Sequence, residues 1–176
     1  MGMDVIGIKP ATPVGEYFRR NVWRWRPLAE IVCMLDPELT AACRYWHSND
    51  GHGLDAETSN DLSAALHHAV ASGRVQRLVE ARDKRIAKLP RRQCPHCGGS
   101  GIRCDEVGVE HGQPDRIIGP DTGAAPDHPR FGQTGWCNGC SGYGTNEALE
   151  ASYHVTANDV AEFADFLGVC GGFEIH

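Results

Sequence analysis

Apolar residues recur every three or four positions over residues 12–90, the spacing of helices that bury one face. Thr12-Pro13 offers a capping hydroxyl followed by proline at a first helical position, and Val14, Phe18, Val22 and Trp25 then share a face. Pro27 has no N–H to donate and is expected to break or kink that helix, with Leu28, Ile31, Val32 and Leu35 continuing on a second segment. Asp36-Pro37 repeats the start signal and predicts a helix through Ala41, Ala42 and Tyr45 to about His47. Glycine and Asn/Asp make residues 48–53 a turn. Asp55 can cap the next helix, with Leu62, Ala65, Leu66, Ala69 and Val70 in one stripe and Ser72-Gly73 as its stop. A further helix runs from Arg74, with Val75, Leu78, Val79, Ile86 and Leu89 inward, until Pro90 closes it.

Helical periodicity disappears from residue 91 to 146, where glycine and proline are dense. Residues 105–135 read as a long connection, with short strands expected at 102–104 and 116–118. Thr156 or Asn158 then caps a helix with Val160, Phe163, Ala164 and Leu167 inward, Gly171-Gly172 stops it, and residues 173–175 fit a short strand. The pattern predicts a small α+β protein in three stretches. Residues 1–90 form a helical region, 91–146 a zinc-binding irregular and β module, and 147–176 a C-terminal helix and short strand that pack on the rest.

With 176 residues, of which 41% are hydrophobic, the chain has room for one domain or one domain with a small appended module. No apolar run approaches the ~20 residues that span a bilayer, and the start of the chain lacks the basic and apolar stretches of a signal peptide. The net charge of −6 hides an asymmetry. Residues 1–92 carry 14 Lys/Arg and 11 Asp/Glu, whereas residues 93–176 carry 3 and 12. One part therefore suits an anionic partner that the other repels.

Eight cysteines without a secretory signal favour reduced thiols and a cytoplasmic setting. Four of them stand in Cys94-Pro95-His96-Cys97-Gly98-Gly99-Ser100-Gly101 and Cys137-Asn138-Gly139-Cys140-Ser141-Gly142-Tyr143-Gly144, two copies of C-x-x-C-x-G-x-G. Two residues between cysteines let one tight turn aim both sulfurs at one ion, and two such turns complete a tetrahedral thiolate site. The glycines let the chain fold back past the metal. Cys94, Cys97, Cys137 and Cys140 are thus expected to hold one structural Zn2+, with iron as the alternative ion and a redox C-x-x-C as the alternative chemistry. Such a site would tie off the 39 residues between Cys97 and Cys137.

The repeated motif resembles the cysteine-rich zinc finger of DnaJ-type co-chaperones, in which repeats pair to hold each ion. That family carries four repeats and two ions; here there are two repeats and no His-Pro-Asp signature of a J-domain, so the resemblance implies a zinc-knuckle geometry. Residues 15–23 and Asn49-Asp50-Gly51 look like parts of small uncharacterised bacterial and phage-encoded proteins, which implies a phage or mobile-element setting.

Other residue groups compete for a role. Residues 17–27 interleave aromatics with Arg19, Arg20, Arg24 and Arg26, which fits either stacking on bases or an amphipathic core helix. Residues 74–92 carry eight basic and two acidic side chains, either a nucleic-acid surface or a solvated helix face. His47, Asp50 and His52 lie in one turn and can bind a second metal, perform acid–base chemistry, or simply cap the turn. Cys104, His96, His111 and His128 are substitute ligands, Cys33 and Cys43 small core residues, and Cys170 a thiol beside Gly171-Gly172 without a basic neighbour. The leading functional expectation is a zinc-stabilised, non-enzymatic adaptor or inhibitor of a protein partner, acting on a host system such as defence. The alternatives are nucleic-acid binding through residues 74–92 and a metal-dependent hydrolase built on His47, Asp50 and His52.

Overall fold

The computed structural model describes residues 2–176. In chain order its strands are β1 (Gly2–Gly7), β2 (Tyr17–Asn21), β3 (His52–Leu54), β4 (Arg92–Gln93), β5 (Thr145–Asn146) and β6 (Phe173–Ile175). Its α-helices are α1 (Val22–Leu35), α2 (Pro37–Thr40), α3 (Ala56–Ala71), α4 (Arg74–Ile86), α5 (Glu106–Glu110) and α6 (Ala157–Leu167), with 3-10 turns at Pro13–Gly15, Pro120–Thr122 and Leu149–Ser152. Helices and antiparallel sheet make this an α+β chain. It forms two compact units, one from residues up to Ala87 together with Glu150–His176, the other from Lys88–Leu149.

The first unit is built on an antiparallel sheet of order β2-β1-β6-β3, in which Val5 pairs with Phe18 and Ile175, and Leu54 with Phe173. Val5, Phe173 and Ile175 meet Trp25, Leu28 and Val32 of α1, Leu62 and Leu66 of α3, and Val160, Phe163 and Phe166 of α6 in one buried cluster. Phe163 is its hub, with its ring 5.1–6.3 Å from those of Phe18, Trp25, Trp46, Phe166 and Phe173. The buried Trp25 indole N–H donates to the Trp46 carbonyl at 2.6 Å, so the largest core side chain keeps its polar atom satisfied.

Three of the four start signals sit where the sequence places them. The Asp36, Asp55 and Thr156 side chains accept from the N–H groups of Leu39, Thr58 and Asp159 at 3.0, 2.8 and 3.2 Å. Thr12-Pro13 opens only a 3-10 turn, and the helix expected from it is a correction. Tyr17–Asn21 is strand, Val14 is 56% exposed, and α1 begins at Val22 with Asn21 accepting from Arg24 N–H. The pairing with β1 overrides the helical spacing because it buries Phe18 opposite Val5. Pro27 does not break α1 either. The carbonyl that it leaves without an intrahelical donor is that of Trp23, and His154 N–H fills it at 3.1 Å.

The helix expected to reach His47 stops at Thr40, whose carbonyl accepts instead from Cys43 N–H at 3.2 Å and from the Trp46 indole at 3.1 Å. His52 and Gly53 belong to β3 rather than to the turn before it. In the second unit, residues 102–104 form no strand, and 116–118 contribute a single bridge, Ile117 to Thr134. Asp105 instead caps α5 by accepting from Gly108 N–H at 2.7 Å. Strands β4 and β5 pair Arg92 with Asn146 and Gln93 with Thr145, next to the two cysteine motifs.

Candidate metal centre

The four motif cysteines converge in the second unit. Their sulfurs all lie within 4.8 Å of one another, with Cys94 Sγ 3.9 Å from Cys137 Sγ and Cys97 Sγ 3.7 Å from Cys140 Sγ. Cys94, Cys137 and Cys140 are buried and Cys97 is half-buried. The pairs are too far apart to be disulfides and close enough for one ion to touch all four. The donor set is therefore chemically competent to hold a single metal ion. Among the described residues, no other three or more His, Cys, Asp or Glu side chains converge in this way.

The two motifs share their bonding around the second cysteine and their backbone pattern. In each, the N–H of the last glycine donates to the second cysteine's sulfur, Gly101 to Cys97 at 3.3 Å and Gly144 to Cys140 at 3.2 Å. The residue before that glycine donates to the same cysteine's carbonyl, Ser100 to Cys97 and Tyr143 to Cys140, both at 3.0 Å. Positive φ recurs at matching positions, Gly98 and Ser141, Gly99 and Gly142, Gly101 and Gly144. The halves also interlock reciprocally: a Cβ on Gly101 would lie 2.4 Å from the Gly142 carbonyl oxygen, and one on Gly144 would lie 2.3 Å from that of Gly99. The terminal glycines are thus required twice, by the left-handed backbone and by the approach of the opposite knuckle.

Burial, backbone donors and contact between sulfurs set the acidities of Cys97, Cys137 and Cys140 apart. Burial pushes Cys140 up to about 12, aided by the neighbouring sulfurs, and burial also raises Cys137. Burial works the same way on Cys97, but N–H donation from Gly101 and Gly99 and contact with the Cys140 and Cys94 sulfurs outweigh it, leaving that thiol at about 7. Backbone donors thus favour negative charge on Cys97, and a cation among the sulfurs would favour the thiolate forms generally.

His128 has a role that the spacing did not reveal. It is 5% exposed, and Arg130 N–H donates to its Nδ1 at 3.1 Å. Nδ1 is therefore the acceptor, and Nε2–H donates to the Ser141 carbonyl at 2.9 Å, bracing the second knuckle. Its ring lies 4.2 Å from that of Tyr143 and 6.3 Å from that of Trp136. His96 packs over Gly139, and Cys104 and His111 are exposed. None of these belongs to the sulfur cluster. Only pairing across the fold could identify His128 as a brace.

The remaining candidates are dispersed. His47 and Asp50 are exposed, Asp50 accepts from the Ser48 hydroxyl, and the His52 ring sits edge-on to Tyr45 at 4.6 Å. The three do not form a convergent ligand group. In the Arg/Trp stripe, Arg20 and Arg24 pair with Asp159 at 3.1 and 2.7 Å, Arg20 also pairs with Glu162, and Arg19 reaches Asp4 at 3.3 Å. The basic stretch 74–92 is divided, with α4 in the first unit and Arg91 bonded to Thr145 at 2.9 Å in the second. Cys43 and Cys170 are buried and Cys33 is half-buried, and burial raises all three thiols, Cys43 to about 11.

The fold and site define a small α+β protein with a cluster of four cysteines spaced to hold a metal ion. Compared with protein-family models, with curated proteins and with solved structures, the chain matches none. No helix among the described residues is long and apolar enough to cross a membrane.

Proposed function

We propose that this chain is a zinc-stabilised, non-enzymatic interaction protein in which one Zn2+ on Cys94, Cys97, Cys137 and Cys140 holds the glycine-rich unit in shape. The carrying observation is the sulfur spacing. A tetrahedral tetrathiolate with Zn–S bonds of about 2.3 Å sets its sulfurs about 3.8 Å apart, and two of the pairs, Cys94–Cys137 and Cys97–Cys140, stand at 3.9 and 3.7 Å. Four thiolates occupy all four positions of the ion, leaving none for a substrate, which supports a structural role. The interlocked C-x-x-C-x-G-x-G halves support a knuckle of the DnaJ type as the local geometry.

The partner is a protein, and the setting a phage or mobile element that acts on a host system. The engagement of Arg19, Arg20 and Arg24 by acidic side chains of the same chain supports this over base stacking by that stripe. An affinity pull-down from bacterial lysate, run with and without nuclease and paired with metal analysis, tests both halves. One zinc per chain and a discrete protein that survives nuclease are expected. Captured material that vanishes with nuclease would transfer the function to nucleic acid, and absence of zinc from the purified chain would remove the structural premise.

A further inference from the structure

Helices α1 and α4 both pack on α3, and between them lies a groove of about 250 Å³ lined by Glu30, Ile31, Met34, Leu78, Ala81, Arg82 and Arg85. Helix α4 is anchored by Val75 and Val79, its buried residues. Leu78, Ala81, Arg82 and Arg85 follow at i, i+3, i+4 and i+7, a second stripe that faces the groove. Met34 projects from α1 and is 60% exposed, an adaptable thioether at the groove wall. The space is smaller than a small-molecule pocket of ~300–1,000 Å³, and suits one or two anchoring side chains of a larger partner.

The charge around this apolar floor is one-sided. Helix α4 carries Arg74, Arg77, Arg82, Lys84 and Arg85 against Glu80 and Asp83, while Glu30 is the single acid in the groove lining and stands on the α1 side. The Arg82 side chain is only 13% exposed, and its Nε is buried with no hydrogen-bond partner. Arg82 Nη1 pairs with Asp83 at 3.5 Å, but the buried Nε–H without an acceptor is costly, and a carboxylate docked against Arg82 offers it a charge-assisted bond. Phosphate chains of nucleic acid match the arginines but leave Met34, Leu78 and Ala81 uncovered.

We propose that the α1/α4 groove docks an acidic amphipathic helix of a protein partner, its apolar face on Met34 and Leu78 and its carboxylates on Arg82 and Arg85. This rests on the interaction reading above and names its surface. The recognition is helix-in-groove, with apolar anchors spaced at i and i+3 or i+4 and acids beside them.

The test uses the full zinc-loaded chain as bait for displayed random peptides long enough for about four helical turns. Met34→Glu and Arg85→Glu alter exposed groove residues, and Arg74→Glu makes the same charge change on α4 outside the groove. Thermal melts check that all three variants fold. Selected peptides should carry apolar residues at helical spacing with flanking Asp or Glu. They should lose at least about tenfold in affinity to Met34→Glu and Arg85→Glu and keep it for Arg74→Glu. Failure to select binders, peptides without acids or helical spacing, or equal binding by Met34→Glu would each overturn the groove. So would displacement of the peptides by a single-stranded oligonucleotide that Arg74→Glu weakens as much as Arg85→Glu does. In the lysate pull-down, a nuclease-resistant protein captured equally by wild type and Met34→Glu would discard the groove and leave the interaction reading standing.

Discussion

Asp159 is 1% exposed and ties the start of α6 to the β2/α1 junction, so its removal offers a sharp test of how the first unit is held together. Its carboxylate accepts from Thr156 N–H at 2.9 Å and Thr156 Oγ1 at 2.8 Å, closing a capping box, and pairs with Arg20 and Arg24 at 3.1 and 2.7 Å. Asp159→Ala removes a cap contribution of about 1 kcal/mol and leaves the Arg20 guanidinium, itself 16% exposed, short of a partner. Breaking a buried pair costs about 3–5 kcal/mol, but Arg24 is 47% exposed and Arg20 keeps Glu162, so the low end applies. The expected total is about 4 kcal/mol, or a fall in Tm of roughly 12–20 °C, read by far-UV circular dichroism in the presence of zinc.

The same residue predicts a pH signature. Burial opposes ionisation of Asp159, but the Thr156 hydroxyl and N–H, then Arg24 and Arg20, outweigh it and hold the carboxyl below the ordinary range. Its contribution is therefore complete above the unfolded value of about 3.9 and is lost as pH falls through the lower folded value. The stability gap between wild type and Asp159→Ala should be flat from about pH 5 to 8 and narrow below about pH 4. Loss of metal at acid pH affects both proteins and cancels in the difference. A gap under about 1 kcal/mol at neutral pH, or one that does not narrow in acid, would refute the reasoning.

Four further outcomes are expected. Cys140→Ser should abolish stoichiometric zinc by mass spectrometry and unfold the Lys88–Leu149 unit, because structural zinc contributes roughly 10 kcal/mol or more of folding free energy; retained metal and unchanged melting would show that the site is misassigned. Gly144→Ala places its Cβ 2.3 Å from the Gly99 oxygen at φ +75°, and should speed zinc loss to a chelator. Ser141→Gly, at a non-glycine φ of 47°, should slow that loss by relieving about 1 kcal/mol of left-handed strain. Phe163→Ala, at the centre of the aromatic cluster, should cost about 3–5 kcal/mol in urea unfolding while leaving zinc stoichiometry intact.

The local signals in the chain were legible because their physics is local. An aspartate or threonine followed by a helical run caps it through an N–H three residues away, as Asp36, Asp55 and Thr156 do. The paired C-x-x-C-x-G-x-G motifs were legible for the same reason, since two residues between cysteines let one tight turn aim both thiols at one point, and the repeat favours a metal over a redox pair. The first strand pair was not legible. Val14, Phe18, Val22 and Trp25 satisfy helical spacing, and only the hydrogen bonds offered by Gly2–Gly7 turn residues 17–21 into strand. Pro27 misled for the same reason, because the N–H that occupies Trp23's carbonyl comes from His154.

By itself, then, the sequence determined the starts of α2, α3, α4 and α6, the stripes that α3 and α6 bury, and the two C-x-x-C pairs, each set by residues within about one or two turns of one another. Tertiary structure alone decided that Phe173–Ile175 lies between β1 and β3, that the two knuckles interlock through Gly101 and Gly144, that His128 braces Ser141, and that Asp159 holds Arg20 and Arg24. These are contacts between positions far apart in the chain. A strand, a brace or an ion pair of this kind exists only once its distant partner has arrived, and no local pattern of residue types encodes which partner that will be.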